Sequence, residues 1–127
     1  CGIGTVLIEA ISMHINIKGY EINPLIGKNA KTNLRYFGYE DVITIGDMNN
    51  IHENYDVAIV DLPYGIFTQI TAEEQLSIMC STRKIAAKMV IITFEDMVKQ
   101  ITSVGFHIED RCTVSKGTFK RHIYICS

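Results

Sequence analysis

The chain has no tryptophan and only two prolines, Pro24 and Pro63, and none of its apolar runs approaches the roughly 18 residues that a membrane-spanning helix needs. A membrane-embedded protein is therefore not expected. An excess of basic residues is also missing: 12 Lys and Arg stand against 14 Asp and Glu, for a net charge of −2. A domain that holds nucleic acid by its own field usually carries a basic stripe that displaces phosphate counterions, so a nucleic-acid substrate would need a further holding element. Cys1, Cys80, Cys112 and Cys126 lack CxxC or CxxxC spacing, and His14, His52, His107 and His122 have no ligand spacing. Neither a metal site nor a disulfide framework is suggested, and a reducing, cytoplasmic compartment is the default. There is no repeat or low-complexity segment either, and a signal peptide is not expected. What remains is one domain of ordinary globular composition, long enough to bury a core.

Its organisation is a single alternation. Apolar runs of strand length lie at Ile17–Tyr20, Val42–Ile45, Val57–Val60 and Met89–Phe94. They are continuous and rich in Val and Ile, the pattern of a parallel sheet covered on both faces. Helical patterns separate them: Val6, Leu7, Ala10 and Ile11 share a face, as do Ile26, Ala30, Leu34 and Phe37 behind an Asn23-Pro24 cap. Thr71 with Glu74 has capping-box form and opens a third helix, and Met97, Ile101 and Val104 give a fourth, stopped by Gly105. Phe106–Val114 and Phe119–Cys126, joined by Ser115 to Thr118, read as an antiparallel hairpin. The expected fold class is α/β, a mostly parallel sheet with helices on both faces and a C-terminal antiparallel hairpin.

In such sheets ligands bind beyond the carboxyl ends of the strands, and three clusters fall there. Cys1-Gly2-Ile3-Gly4-Thr5 precedes the first helix; its glycines let the backbone approach a ligand, although a plain tight turn has the same composition. A dinucleotide fingerprint would want a third glycine where Leu7 stands. Glu21 lies 19 residues after Gly2 (21 − 2), where an acid can accept hydrogen bonds from both ribose hydroxyls or merely end a strand in solvent. Gly46-Asp47-Met48 offers an acid for an adenine amino group and an apolar neighbour for its ring, or an ordinary turn. Taken together the three describe an adenosine pocket.

The stretch Asp61-Leu62-Pro63-Tyr64-Gly65 selects among adenosine ligands. Methylating an exocyclic amine requires acceptors on its N–H groups, which free the nitrogen lone pair from the neighbouring π-system. The Asp61 carboxylate and the Leu62 carbonyl are such acceptors, Pro63 stiffens the turn, and Tyr64 offers a face to a flipped base. Two small basic groups, Arg83-Lys84 with Lys88 and Lys116 with Lys120-Arg121-His122, read as solvated faces, the second with a phosphate as its alternative.

The order C-G-I-G-T, Y-E-I-N-P, G-D-M, D-L-P-Y-G resembles the Rossmann-like S-adenosylmethionine-dependent amino-methyltransferases, and within them the tRNA guanosine 2-amino methyltransferases, whose catalytic domain usually follows an RNA-binding THUMP domain. The resemblance implies a Rossmann-like methyltransferase fold with S-adenosylmethionine as cofactor and no metal. It puts Cys1, Gly2, Gly4 and Thr5 toward the methionine part, Glu21 with Ile22 and Asn23 at the ribose, and Asp47 and Met48 at the adenine. Asp61 borders both cofactor and target base, and Leu62, Pro63 and Tyr64 face the base. Leu62 stands where the family pattern has its first proline, so the turn loses one fixed φ.

The acceptor expected from the resemblance is guanosine in tRNA, with DNA adenine, protein glutamine or a non-catalytic binding role as alternatives. A nicotinamide-dependent oxidoreductase shares the glycine turn and Glu21 but gives Asp61 to Tyr64 no task. The family's first strand, central in its sheet, is expected upstream of Cys1, together with an RNA-binding domain that mainly holds the RNA. In a fragment without that strand, a dimer or an exchanged strand would fill the gap, because unpaired backbone groups and an apolar slot exceed a stability of about 5–15 kcal/mol.

Overall fold

In the computed structural model, which describes residues 1–63 and 70–127, the unit Cys1–Ile51 opens with the glycine turn and helix α1 (Thr5–Ser12). Strand β1 (Gly19–Glu21), helix α2 (Pro24–Tyr36) and strand β2 (Ile43–Ile45) follow. Helix α2 starts where its sequence says it should: the Asn23 side chain accepts from the N–H groups of Leu25 and Ile26, and Pro24 occupies a position whose N–H would have no partner. β1 and β2 pair in parallel, Gly19 opposite Ile43 and Glu21 opposite Ile45. Leu7, Ala30, Leu34 and Ile43 form the core of this unit. A Cβ on Gly27 would lie 2.8 Å from Ile45 Cγ1, so glycine is what lets α2 lie close on β2.

The unit His52–Ser127 contains strand β3 (Tyr55–Asp61), helix α3 (Ala72–Ile85), strand β4 (Ala86–Thr93), helix α4 (Val98–Ser103) and strands β5 (Ile108–Lys116) and β6 (Phe119–Cys126). The strand order is β3-β4-β6-β5, with β3 and β4 parallel and the other two pairings antiparallel. The capping box forms in full: the Thr71 hydroxyl accepts from Glu74 N–H and the Glu74 carboxylate accepts from Thr71 N–H. Met79 of α3 and Ile101 of α4 pack with Met89, Ile91, Tyr124 and Cys126 on one face of the sheet. Within that core the Tyr124 hydroxyl accepts from Met97 N–H at 3.2 Å, which satisfies a buried phenol.

Several details differ from the sequence reading, among them that β4 runs Ala86–Thr93 and β5 begins at Ile108 rather than Phe106. β1 begins at Gly19 rather than Ile17, and the hairpin turn is only Gly117-Thr118, with Gly117 at a φ of 63°. The run Val57–Val60, read as covered on both faces, leaves Val57 and Ile59 47% and 48% exposed. Among the described residues the helices of this unit pack on the opposite face only. An apolar run records what a strand's side chains favour, not which neighbours are present.

Candidate active site

The three adenosine-like clusters lie in the first unit, and its sheet gathers them at one end. Gly46 N–H donates to the Glu21 carbonyl at 2.9 Å, which brings the turn after β2 beside the end of β1. The Glu21 carboxylate accepts from Gly2 N–H at 2.8 Å and from Asn23 N–H at 3.0 Å. Burial pushes the Glu21 carboxyl up, the N–H groups of Asn23 and Gly2 pull it down, and its pKa lies below the ordinary value. The acid is therefore ionised and fixed in orientation. These two N–H groups take two of roughly four acceptor positions on the carboxylate, which leaves capacity for two ligand hydroxyls.

The glycine turn is held from two sides. Gly4 N–H closes on the Cys1 carbonyl at 3.2 Å, and Asn33 of α2 donates through Nδ2 to the Ile3 carbonyl at 2.9 Å. Gly2 has a φ of 57° and nothing within 4 Å of where a Cβ would stand, so its backbone is open to close approach. Thr5 is the first residue of α1. Ile22 is exposed beside Asn23, whose side chain is occupied as the α2 cap. Asp47 caps the short 3-10 turn Met48–Asn50, its carboxylate accepting from Asn49 N–H at 2.9 Å. This geometry fits an adenosine-bearing ligand: an ionised acid for vicinal hydroxyls, an open glycine backbone, and an acid with an apolar neighbour. Asn33 was not singled out in the sequence, where it is one polar residue in an amphipathic helix; only the fold shows its bond. A concavity lined by Ile11, Ile15, Tyr39 and Val42 lies at the opposite end of β1 and β2, with no chemically distinctive group.

In the second unit Asp61 ends β3. Burial pushes the Asp61 carboxyl pKa up, and the positive charge of Arg121 on β6, whose Nη1 is 3.9 Å from Oδ2, opposes that rise. Leu62 is 3% exposed and sits in the core, and its N–H donates to the Ile92 carbonyl at 3.1 Å. A proline has no N–H to make that bond, so leucine here replaces a fixed φ with an extra rung and a buried side chain. Pro63 follows at the surface, and Tyr64 lies outside the described residues. Among the described residues no group of three or more His, Cys, Asp or Glu is gathered for a metal, and no helix is long and apolar enough to cross a membrane.

Residues 1–98 match the family UPF0020, described as RMKL-like, methyltransferase domain. Over 75 residues the chain is 35% identical to the tRNA (guanine(10)-N2)-dimethyltransferase of Pyrococcus abyssi, covering 54% of this chain and 23% of that protein. Among solved structures, magnesium protoporphyrin IX methyltransferase from Synechocystis PCC 6803 with bound SAM superposes with a TM-score of 0.85 at 15% identity, over 99% of this chain and 65% of that one. TrmN from Thermus thermophilus gives 0.77 at 13% identity, over 98% and 41%. At such identities the likeness is one of fold, and the fold is the Rossmann-like methyltransferase fold.

Proposed function

Because this chain belongs to the RMKL-like methyltransferase domain family UPF0020, we propose that it transfers the methyl group of S-adenosylmethionine to an exocyclic amine of a nucleic-acid base, the 2-amino group of a guanosine in tRNA. The observation that carries this reading is the meeting of the glycine turn, Glu21 and the Gly46-Asp47 turn at one end of β1 and β2. Glu21 takes the ribose hydroxyls, Asp47 and Met48 the adenine, and the turn Cys1 to Thr5 the methionine part. When bound, the sulfonium group supplies an already activated methyl carbon.

The protein's task is then to prepare the acceptor. The Asp61 carboxylate and the Leu62 carbonyl accept the two amine hydrogens and turn the nitrogen lone pair out of conjugation with the base, and Tyr64 stacks on the ring. The amine lone pair would take the methyl group as the C–S bond pair returns to sulfur, and the proton the nitrogen then loses would pass to the Asp61 carboxylate that already accepts its hydrogen bond. The likeness to the tRNA guanine methyltransferase of Pyrococcus abyssi supports guanosine in tRNA, and the composition supports an RNA-holding domain elsewhere in the complete protein.

Thermal unfolding with two ligands separates this from a nicotinamide enzyme. S-adenosylhomocysteine at 100 times its Kd should raise stability by about 2.7 kcal/mol and shift Tm upward, and NADH should leave it unchanged. The reverse pattern would refute the cofactor assignment.

A further inference from the structure

Strand β4 ends at Thr93, opposite His122, but the hairpin continues: Val114 pairs with Arg121, Ser115 with Lys120, and Lys116 with Phe119. These three rungs and their turn overhang the carboxyl ends of β3 and β4, where Asp61 stands. Side chains alternate along a strand, and directly opposed residues share a face. Tracing the register from Asp61 through Ile92 and Ile123 puts Arg121 and Phe119, with their partners Val114 and Lys116, on the face of Asp61. Ser115, Lys120 and His122 take the other. The ion pair between Arg121 and Asp61 agrees with that assignment.

The overhang differs in character from the rest of the chain. From Thr113 to Arg121 there are three cations, Lys116, Lys120 and Arg121, and no acid, although the chain as a whole is acidic. Lys116 and Lys120 make no ion pair among the described residues. Phe119 is 58% exposed and stands outside the core, its ring 6.1 Å from that of Phe94. An exposed ring beside a cation, in a segment that carries no acid of its own, with the nearby Asp61 carboxylate paired to Arg121, is the pairing that single-stranded nucleic acid requires: the ring for a base, the cation for the backbone.

We propose that the Asp61-side face of this overhanging hairpin is an RNA-contacting arm, with Lys116 on a phosphate and Phe119 under a base that flanks the target nucleotide. The arm rests on the methyl-transfer reading above and adds to it where the flanking strand lies. Charge complementarity favours RNA over a protein acceptor, because every nucleotide beside a target base brings a phosphate. The opposite face supplies an internal control, since Lys120 carries the same charge one rung away in the ladder.

The test is binding of unmodified tRNA to the full chain as a function of salt. Lys116→Gln should reduce the log–log salt slope by about 0.7–0.9, the share of one phosphate contact. Phe119→Ala should weaken binding about tenfold at an unchanged slope. Lys120→Gln should keep the original affinity. Equal losses from Lys116→Gln and Lys120→Gln would show attraction to net charge rather than to a face, and would overturn the arm; so would unchanged tRNA binding by all three variants. Methylation of a protein acceptor but no RNA by the unsubstituted chain would instead overturn the RNA reading, whatever the variants do.

Discussion

Asp61→Ala should lower single-turnover methyl transfer at saturating cofactor and RNA by about a hundredfold or more, as the loss of a positioned acceptor at a reacting centre commonly does. The amine would keep the Leu62 carbonyl but lose the carboxylate that takes its second hydrogen. Folding should be little affected, because the ion pair lost with Arg121 is partly exposed and such pairs contribute at most about 1 kcal/mol. Cofactor affinity, measured by calorimetry, should change far less than the rate. Burial pushes the Asp61 carboxyl up, so the ionised form that accepts a hydrogen should disappear on acidification at a higher pH than for an ordinary aspartate. An Asp61→Ala protein that transfers methyl groups at the normal rate would remove Asp61, and the turn that follows it, from the mechanism.

Glu21→Ala should weaken cofactor binding tenfold or more, the equivalent of about 1.5–3 kcal/mol for charge-assisted hydrogen bonds to ribose hydroxyls. The carboxylate also accepts from Gly2 and Asn23, but these N–H groups lie in exposed surroundings where water can replace it. The expected change is therefore in affinity, with Tm in the absence of ligand nearly constant. If calorimetry returns the original affinity, the ribose does not lie at Glu21 and the adenosine pocket has been assigned to the wrong groups.

How much of this could be read from the sequence depends on how local each feature is. The α2 cap at Asn23-Pro24, the capping box of Thr71 and Glu74, and the stop of α4 at Gly105 are set within a few residues, and each appears in the structure as its composition suggests. The carboxyl ends of β1, β2 and β3 carry Glu21, Gly46-Asp47 and Asp61 because runs of apolar residues end there. Contacts between distant segments were not legible. Asn33 reaching Ile3 depends on the angle at which α2 packs, and Arg121 reaching Asp61 depends on the register through β4. The place of Leu62 needed both: the sequence shows a missing proline, and the fold shows the rung to Ile92 and the core position that replace it.

The central claim is tested most directly by methyl transfer from isotopically labelled S-adenosylmethionine to unmodified bulk tRNA, with DNA and a glutamine-bearing release-factor protein as comparison acceptors and nucleoside analysis of the product. Label should appear in tRNA alone, recovered as N2-methylated guanosine, and should be lost with Asp61→Ala. Label in DNA adenine or protein glutamine, or label in tRNA at an atom other than an exocyclic amine, would contradict it.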